Sequence, residues 1–148
     1  VKRLVYPGVD TIPALFVNVI HEGSGRRVPF CMLLDTGASH TCIPEKFARF
    51  FGHDNSDKRV KPITAKGIGG ESKGFEHTMA IELIDPEGRI LSKLISPWKS
   101  AKVPVWFLAN MDMEMGIIGR DIISCWKELT LRSTCTKTKL SWSIGITV

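Results

Sequence analysis

An apolar run, Pro29-Phe30-Cys31-Met32-Leu33-Leu34, ends abruptly in the carboxylate of Asp35 and the small residues Thr36, Gly37, Ala38 and Ser39. Its length and flanks are those of a buried strand. An ionised group at the end of such a strand is costly unless it is hydrogen-bonded or used. Thr36 supplies a hydroxyl, and Gly37 lets the backbone turn tightly enough for its amide to reach the carboxylate. The chain must therefore hold one carboxylate at the mouth of a buried strand. Asp-Thr-Gly alone also reads as a plain turn, so the surrounding sequence decides its meaning.

Those surroundings read as short strands separated by turn residues. Ile12–Ile20 is predicted as a strand. A turn-rich link, His21-Glu22-Gly23-Ser24-Gly25-Arg26, joins it to the strand Val28–Leu34 as a hairpin. His40–Ile43 resumes β-branched character, and Pro44-Glu45-Lys46 opens a short helix running through Phe51. A strand over Arg59–Thr64 leads to Lys66-Gly67-Ile68-Gly69-Gly70-Glu71-Ser72, a glycine-rich hairpin tip. No GKS/T follows it, so a phosphate-binding loop is not supported. His77–Ile84 and Arg89–Ile95 alternate as strands around the turn Asp85-Pro86-Glu87-Gly88. Val103–Leu108 is a further strand, and Ile117-Ile118-Gly119-Arg120-Asp121 joins an apolar strand to a second glycine turn. A short helix is expected over Ile122–Lys127, with closing strands at Leu129–Leu131 and Lys139–Val148. The whole reads as one all-β domain, 1–148, with one or two short helices.

With 148 residues, 43% hydrophobic and 24% charged, the chain has the size and balance of one soluble globular domain. It contains no apolar stretch long enough for a bilayer, so no membrane association is expected. The start, Val1-Lys2-Arg3-Leu4-Val5-Tyr6-Pro7, lacks the apolar core of a signal peptide and an initiator methionine. The expectation is a processed or excised fragment that is not secreted. The net charge of +5 is spread over Arg26-Arg27, Lys58-Arg59-Lys61 and Lys137-Lys139 without aromatic ladders, so no nucleic-acid partner is expected. Cys31, Cys42, Cys125 and Cys135 have no zinc-ligand spacing. Cys31 and Cys125 lie in apolar surroundings and are expected to be buried thiols in a reducing, intracellular setting.

The ordered set of Asp35-Thr36-Gly37-Ala38 after an apolar strand, the glycine-rich tip and Ile117-Ile118-Gly119-Arg120-Asp121 resembles the retropepsins. These are the retroviral and retrotransposon-type aspartic proteases, with cellular and bacterial relatives. The likeness covers about 12–127, leaving 128–148 as C-terminal closing strands. It implies an acid-protease half-barrel completed as a symmetric homodimer, in a cytoplasmic or viral/retroelement-particle setting. Asp35 matches the catalytic aspartate, and Thr36 and Gly37 match the residues that brace the two catalytic loops. Gly67, Ile68, Gly69 and Gly70 match a flap tip. With Ala38, Ser39, Ile117 and Ile118 they are the expected substrate contacts. Gly119, Arg120 and Asp121 match the element beneath the active loop. Many members carry an acid directly after Asp-Thr-Gly-Ala to pair with the arginine. Ser39 and His40 stand there instead, which leaves the partner of Arg120 open.

The resemblance implies an aspartic endopeptidase acting on extended peptides, in polyprotein or protein processing, with no metal or cofactor. Because Asp-Thr-Gly occurs once, the second carboxylate must come from another copy of the chain. Two rival readings stand beside it: a catalytically silent dimerisation or peptide-binding module of the same fold, and a basic β-domain in which Asp35 is a turn residue.

Overall fold

The computed structural model describes residues 3–8, 11–67, 70–85, 87–90 and 102–147. A strand not anticipated from the sequence, β1 (Arg3–Pro7), comes first. β2 (Ala14–Ile20) and β3 (Arg27–Leu34) form the expected hairpin, with Ala14 opposite Leu33 and Ile20 opposite Arg27. β4 (Cys42–Pro44) follows the Asp35 loop, and β5 (Lys61–Gly67) pairs with β6 (Gly70–Met79) up to a final Gly67–Gly70 pair. β7 (Ile81–Leu83), β8 (Val103–Leu108) and β9 (Gly116–Ile118) precede the single-turn helix α1 (Arg120–Ile123). β10 (Glu128–Cys135) and β11 (Leu140–Thr147) close the chain.

Eight strands form one sheet in the order β5-β6-β8-β4-β9-β3-β2-β7, and three form a second in the order β1-β11-β10. The stretch expected as one strand, His77–Ile84, divides at Ala80, where β6 leaves β8 and β7 joins β2. Consecutive strands thus lie toward opposite ends of the large sheet, which must curl until those ends approach. The curled sheet encloses Leu15, Val17, Met32, Ile43, Leu83 and Phe107, each at most 1% exposed. Ile144 and Ile146 of β11, both fully buried, join the same core. Each such side chain contributes about 1.5–3 kcal/mol on burial.

The helix expected from Pro44 is instead two successive 3-10 turns, Glu45–Phe47 and Arg49–Phe51. Gly52, at φ 82°, ends the second in the left-handed region that only glycine adopts freely. The tight turns set Phe47 and Phe51 edge-on against Phe30, with ring centroids 5.1 and 5.2 Å away. The second helix begins two residues earlier than expected, at Arg120, and is shorter. Of Arg89–Ile95, Ile90 bridges Ile84, and 91–95 lie outside the described residues. The cysteine expectation also needs correction. Cys42 is the buried thiol, whereas Cys31 and Cys125 are half-buried, Cys31 because it falls on the outward phase of β3.

Candidate active site

Asp35 leaves β3 with its amide still bonded to the Ile118 carbonyl at 3.1 Å. The chain then turns at once, Ala38 N–H donating to the Asp35 carbonyl at 3.2 Å. Gly37 N–H donates to Asp35 Oδ1 at 2.8 Å, the bond anticipated from the sequence. A Cβ on Gly37 would lie 3.1 Å from that same oxygen, so a larger residue there would have to displace the carboxylate by a few tenths of an ångström. Asp35 is half-buried, while Thr36, Gly37 and Ser39 are exposed.

Arg120 answers the question of its partner. Its Nη1 donates to the carbonyls of Thr36 and Gly37, both at 3.0 Å, and its backbone N–H donates to the Ala38 carbonyl at 2.8 Å. One residue therefore satisfies three successive carbonyls of the loop, without an acidic side chain. Ser39 turns its hydroxyl to His40 Nδ1 at 2.8 Å.

Asp121 ties the next segment down. Its Oδ2 accepts from Thr41 N–H at 2.9 Å, and its Oδ1 accepts from Thr41 Oγ1 at 2.8 Å and from Ile122 N–H at 2.9 Å. Thr41 is fully buried, and its Oγ1 accepts from Gly119 N–H at 3.2 Å. Gly119 is pressed so closely on His40 that a Cβ would lie 2.5 Å from the His40 carbonyl carbon. The Gly119-Arg120-Asp121 triplet thus clamps residues 36–41 from below. Burial, reinforced by the charges of Asp121 and Asp35, pushes the Cys42 thiol up to about 12. It stays protonated and is no nucleophile.

The other expected contacts divide. Ile117 is half-exposed beside the loop, but Ile118 is 2% exposed and belongs to the core. Successive residues of a strand face opposite ways, so the two isoleucines cannot both line a cleft. Ala38 is half-buried in the loop turn. Gly67 and Gly70 end the paired strands of the β5–β6 hairpin, with nothing among the described residues within 4 Å of a Cβ on either. Ile68 and Gly69 lie outside the described residues.

Sequence reasoning missed Thr41 and the Trp106–Glu76 pair. The His40 ring stacks on Trp106 with centroids 3.6 Å apart and planes 13° off parallel. Trp106 Nε1–H donates to Glu76 Oε2 at 2.9 Å. The alternation of Val103–Leu108 signalled that Trp106 faces away from Val105 and Phe107, but not what it meets.

A sequence model of the family described as aspartyl protease matches residues 17–122. Among solved structures, a retropepsin-like aspartic protease from Rickettsia conorii aligns over 98% of this chain and 96% of its own, at 14% identity and a TM-score of 0.54. EIAV protease, complexed with the inhibitor HBY-793, aligns over 76% of this chain and 86% of its own, at 21% identity and a TM-score of 0.51. No curated protein is similar enough in sequence to count as a relative.

Proposed function

The chain belongs to the aspartyl protease family, as an aspartic endopeptidase of retropepsin-like fold, and from that premise we propose that it cleaves extended peptides as a two-fold symmetric homodimer. The observation that carries this is the state of the Asp35 loop. Its carboxylate accepts one local amide, its carbonyls are held by Arg120, and the exposed Thr36 and Gly37 face outward at its tip. One loop supplies one carboxylate, and acid–base hydrolysis by carboxylates needs two sharing a proton. A two-fold axis beside Thr36 brings in the second Asp35.

In the paired site one carboxylate takes a proton from water as the other donates to the scissile carbonyl oxygen. Neither can ionise independently of its neighbour, so the pair titrates as one unit. The peptide lies extended, satisfying its backbone by strand-like pairing. The β5–β6 hairpin acts as the flap that closes over it and excludes water. Processing of a polyprotein or protein precursor is the role this chemistry fits.

Incubating the protein with a mixed peptide library at acid and neutral pH tests the reading. Cleavage by the wild type that is absent with Asp35→Asn supports it. Equal cleavage by both proteins, or binding without cleavage, overturns it in favour of a silent peptide-binding module.

A further inference from the structure

A single cross-strand row runs outward from the Asp35 loop. Leu33, two residues before Asp35, stands opposite Ile117, and Ile117 opposite Cys42. Cys42 stands opposite Trp106, Trp106 opposite Glu76, and Glu76 opposite Lys61. Directly opposed residues share one face of a sheet. That face points away from the core, because Leu34, Ile118, Ile43 and Phe107, one step along their strands, are at most 4% exposed, although Cys42 within the row is itself covered, at 8%. The row begins apolar beside the catalytic loop and becomes charged by its fifth position. His40 joins it from the loop side by stacking on Trp106.

The carboxylate of Glu76 is aimed but not neutralised. Trp106 Nε1–H fixes Oε2 at 2.9 Å, and a neutral donor orients a carboxylate without supplying a counter-charge. No ion pair among the described residues involves Glu76, and Lys61, its opposite in register, makes none with it. Glu76 sits on β6, the return strand of the hairpin whose tip ends at Gly70. Ile117 lies three strand spacings from Glu76, about 14 Å, with the buried Cys42 between them, so a peptide side chain reaches this half-exposed carboxylate along the edge of the indole beside His40.

Resting on the protease reading above, we infer that Trp106 and Glu76, flanked by His40, form a specificity subsite for a substrate side chain with an apolar stem and a cationic head. Lysine and arginine have that form. A glutamate in the substrate meets like charge and is disfavoured.

The test uses full-length wild type, Glu76→Gln and Glu76→Lys with peptides identical except at one position. That position carries lysine, arginine, norleucine or glutamate in turn, and the set is repeated for each position flanking the cleaved bond. The wild type should favour lysine or arginine over norleucine at one position by about three- to tenfold in kcat/KM, the size of one partly exposed charge contact. Glu76→Gln, whose amide oxygen can still accept the Trp106 N–H, should erase that ratio while leaving the norleucine peptide unchanged. Glu76→Lys should invert it toward glutamate. If Glu76→Gln lowers every peptide alike, the residue only ties β6 to β8 and the subsite is wrong. An unchanged ratio in both variants overturns it equally. Asp35-dependent cleavage with no cationic preference at any position refutes the subsite while sparing the protease reading. Cleavage that survives Asp35→Asn refutes both.

Discussion

Asp35 and Asp85 stand in nearly the same local setting and have opposite characters. Each follows an apolar strand, and each accepts the backbone N–H two residues ahead, Gly37 at 2.8 Å and Glu87 at 3.1 Å. Asp85, however, also accepts from Arg89 N–H at 2.7 Å and Arg89 Nε at 2.6 Å. It is 7% exposed, and its carboxylate closes a turn completed by Gly88 at φ 81°. Burial pushes the Asp85 carboxyl up, but the hydrogen bonds and charge of Arg89 outweigh this and hold it below the ordinary range. At Asp35 the corresponding arginine has been diverted. Arg120 spends its donors on the Thr36, Gly37 and Ala38 carbonyls, so it holds the loop backbone, while among the described residues Asp35 Oδ2 has no hydrogen-bond partner. Asp85 is matched to its cation; Asp35 has its cation matched to the backbone beneath it.

Exchanging the side chain at both places gives the sharpest contrast. Asp35→Asn should reduce peptide turnover by about 10²–10⁴-fold, the scale of a lost acid–base group, with an unchanged melting temperature. Asp85→Asn should lower the melting temperature and leave kcat/KM intact. Parallel thermal melts and peptide assays check both, and a swap of the two phenotypes would break the comparison.

Arg120→Lys tests the diversion itself. Lysine keeps the charge but loses the planar fork that reaches two carbonyls. Turnover should fall about ten- to hundredfold, because small displacements of reacting groups are expensive. KM should change less than kcat. If instead kcat is unchanged, the loop does not depend on this clamp.

How much of this contrast was readable beforehand follows the distance between partners. The Asp35 strand, the β2–β3 hairpin and the Gly37 amide contact were legible because their residues are close in sequence. The all-β class followed from turn residues spaced between short apolar runs. β1 was not legible, because Arg3–Pro7 pairs only with β11 at the far end of the chain. Nor was the clamp of Asp121 on Thr41, or the His40–Trp106 stack, since nothing local to either residue names its partner. Ile118 was misjudged because a two-residue apolar step has no visible phase until its strand partners are known.

Pairing across the proposed axis predicts a smaller effect. Equal mixing of wild type with Asp35→Asn should leave about half the activity per wild-type chain, as random pairing diverts half of those chains into dead heterodimers. Specific activity should also drop on dilution. A monomer by sedimentation that retains full activity on dilution would show that Asp35 finds its second acid elsewhere.

The prediction that touches turnover least separates the pH response of the fold from that of the site. His53 is 7% exposed and packs against His77 and Phe107, with ring centroids 4.6 and 5.7 Å away. Its buried Nε2 has no partner among the described residues. Burial, then the charge of His77, lowers its pKa from 6.5 to about 4. Burial lowers His77 as well, and its Nε2 is paired with Asn55 Oδ1 at 2.6 Å. The unfolded chain takes up a proton at His53 as pH falls through 6.5, whereas the folded chain resists until about 4. Stability is therefore complete above 6.5, declines between 6.5 and 4, and loses nothing further to this group below that. The loss is on the order of 3 kcal/mol for His53. His53→Phe should flatten the slope of unfolding free energy over that window, measured by denaturant titration, because an apolar ring has no proton to bind. Asp85, lowered rather than raised, contributes only at more acid pH, as its carboxylate protonates. Peptide turnover by His53→Phe should keep the wild-type pH profile wherever both proteins are folded, since the substitution leaves the proposed Asp35 pair untouched. A profile that shifts with the histidine would mean that acid reaches the site through the fold under β6, and that Asp35 does not set the pH response alone.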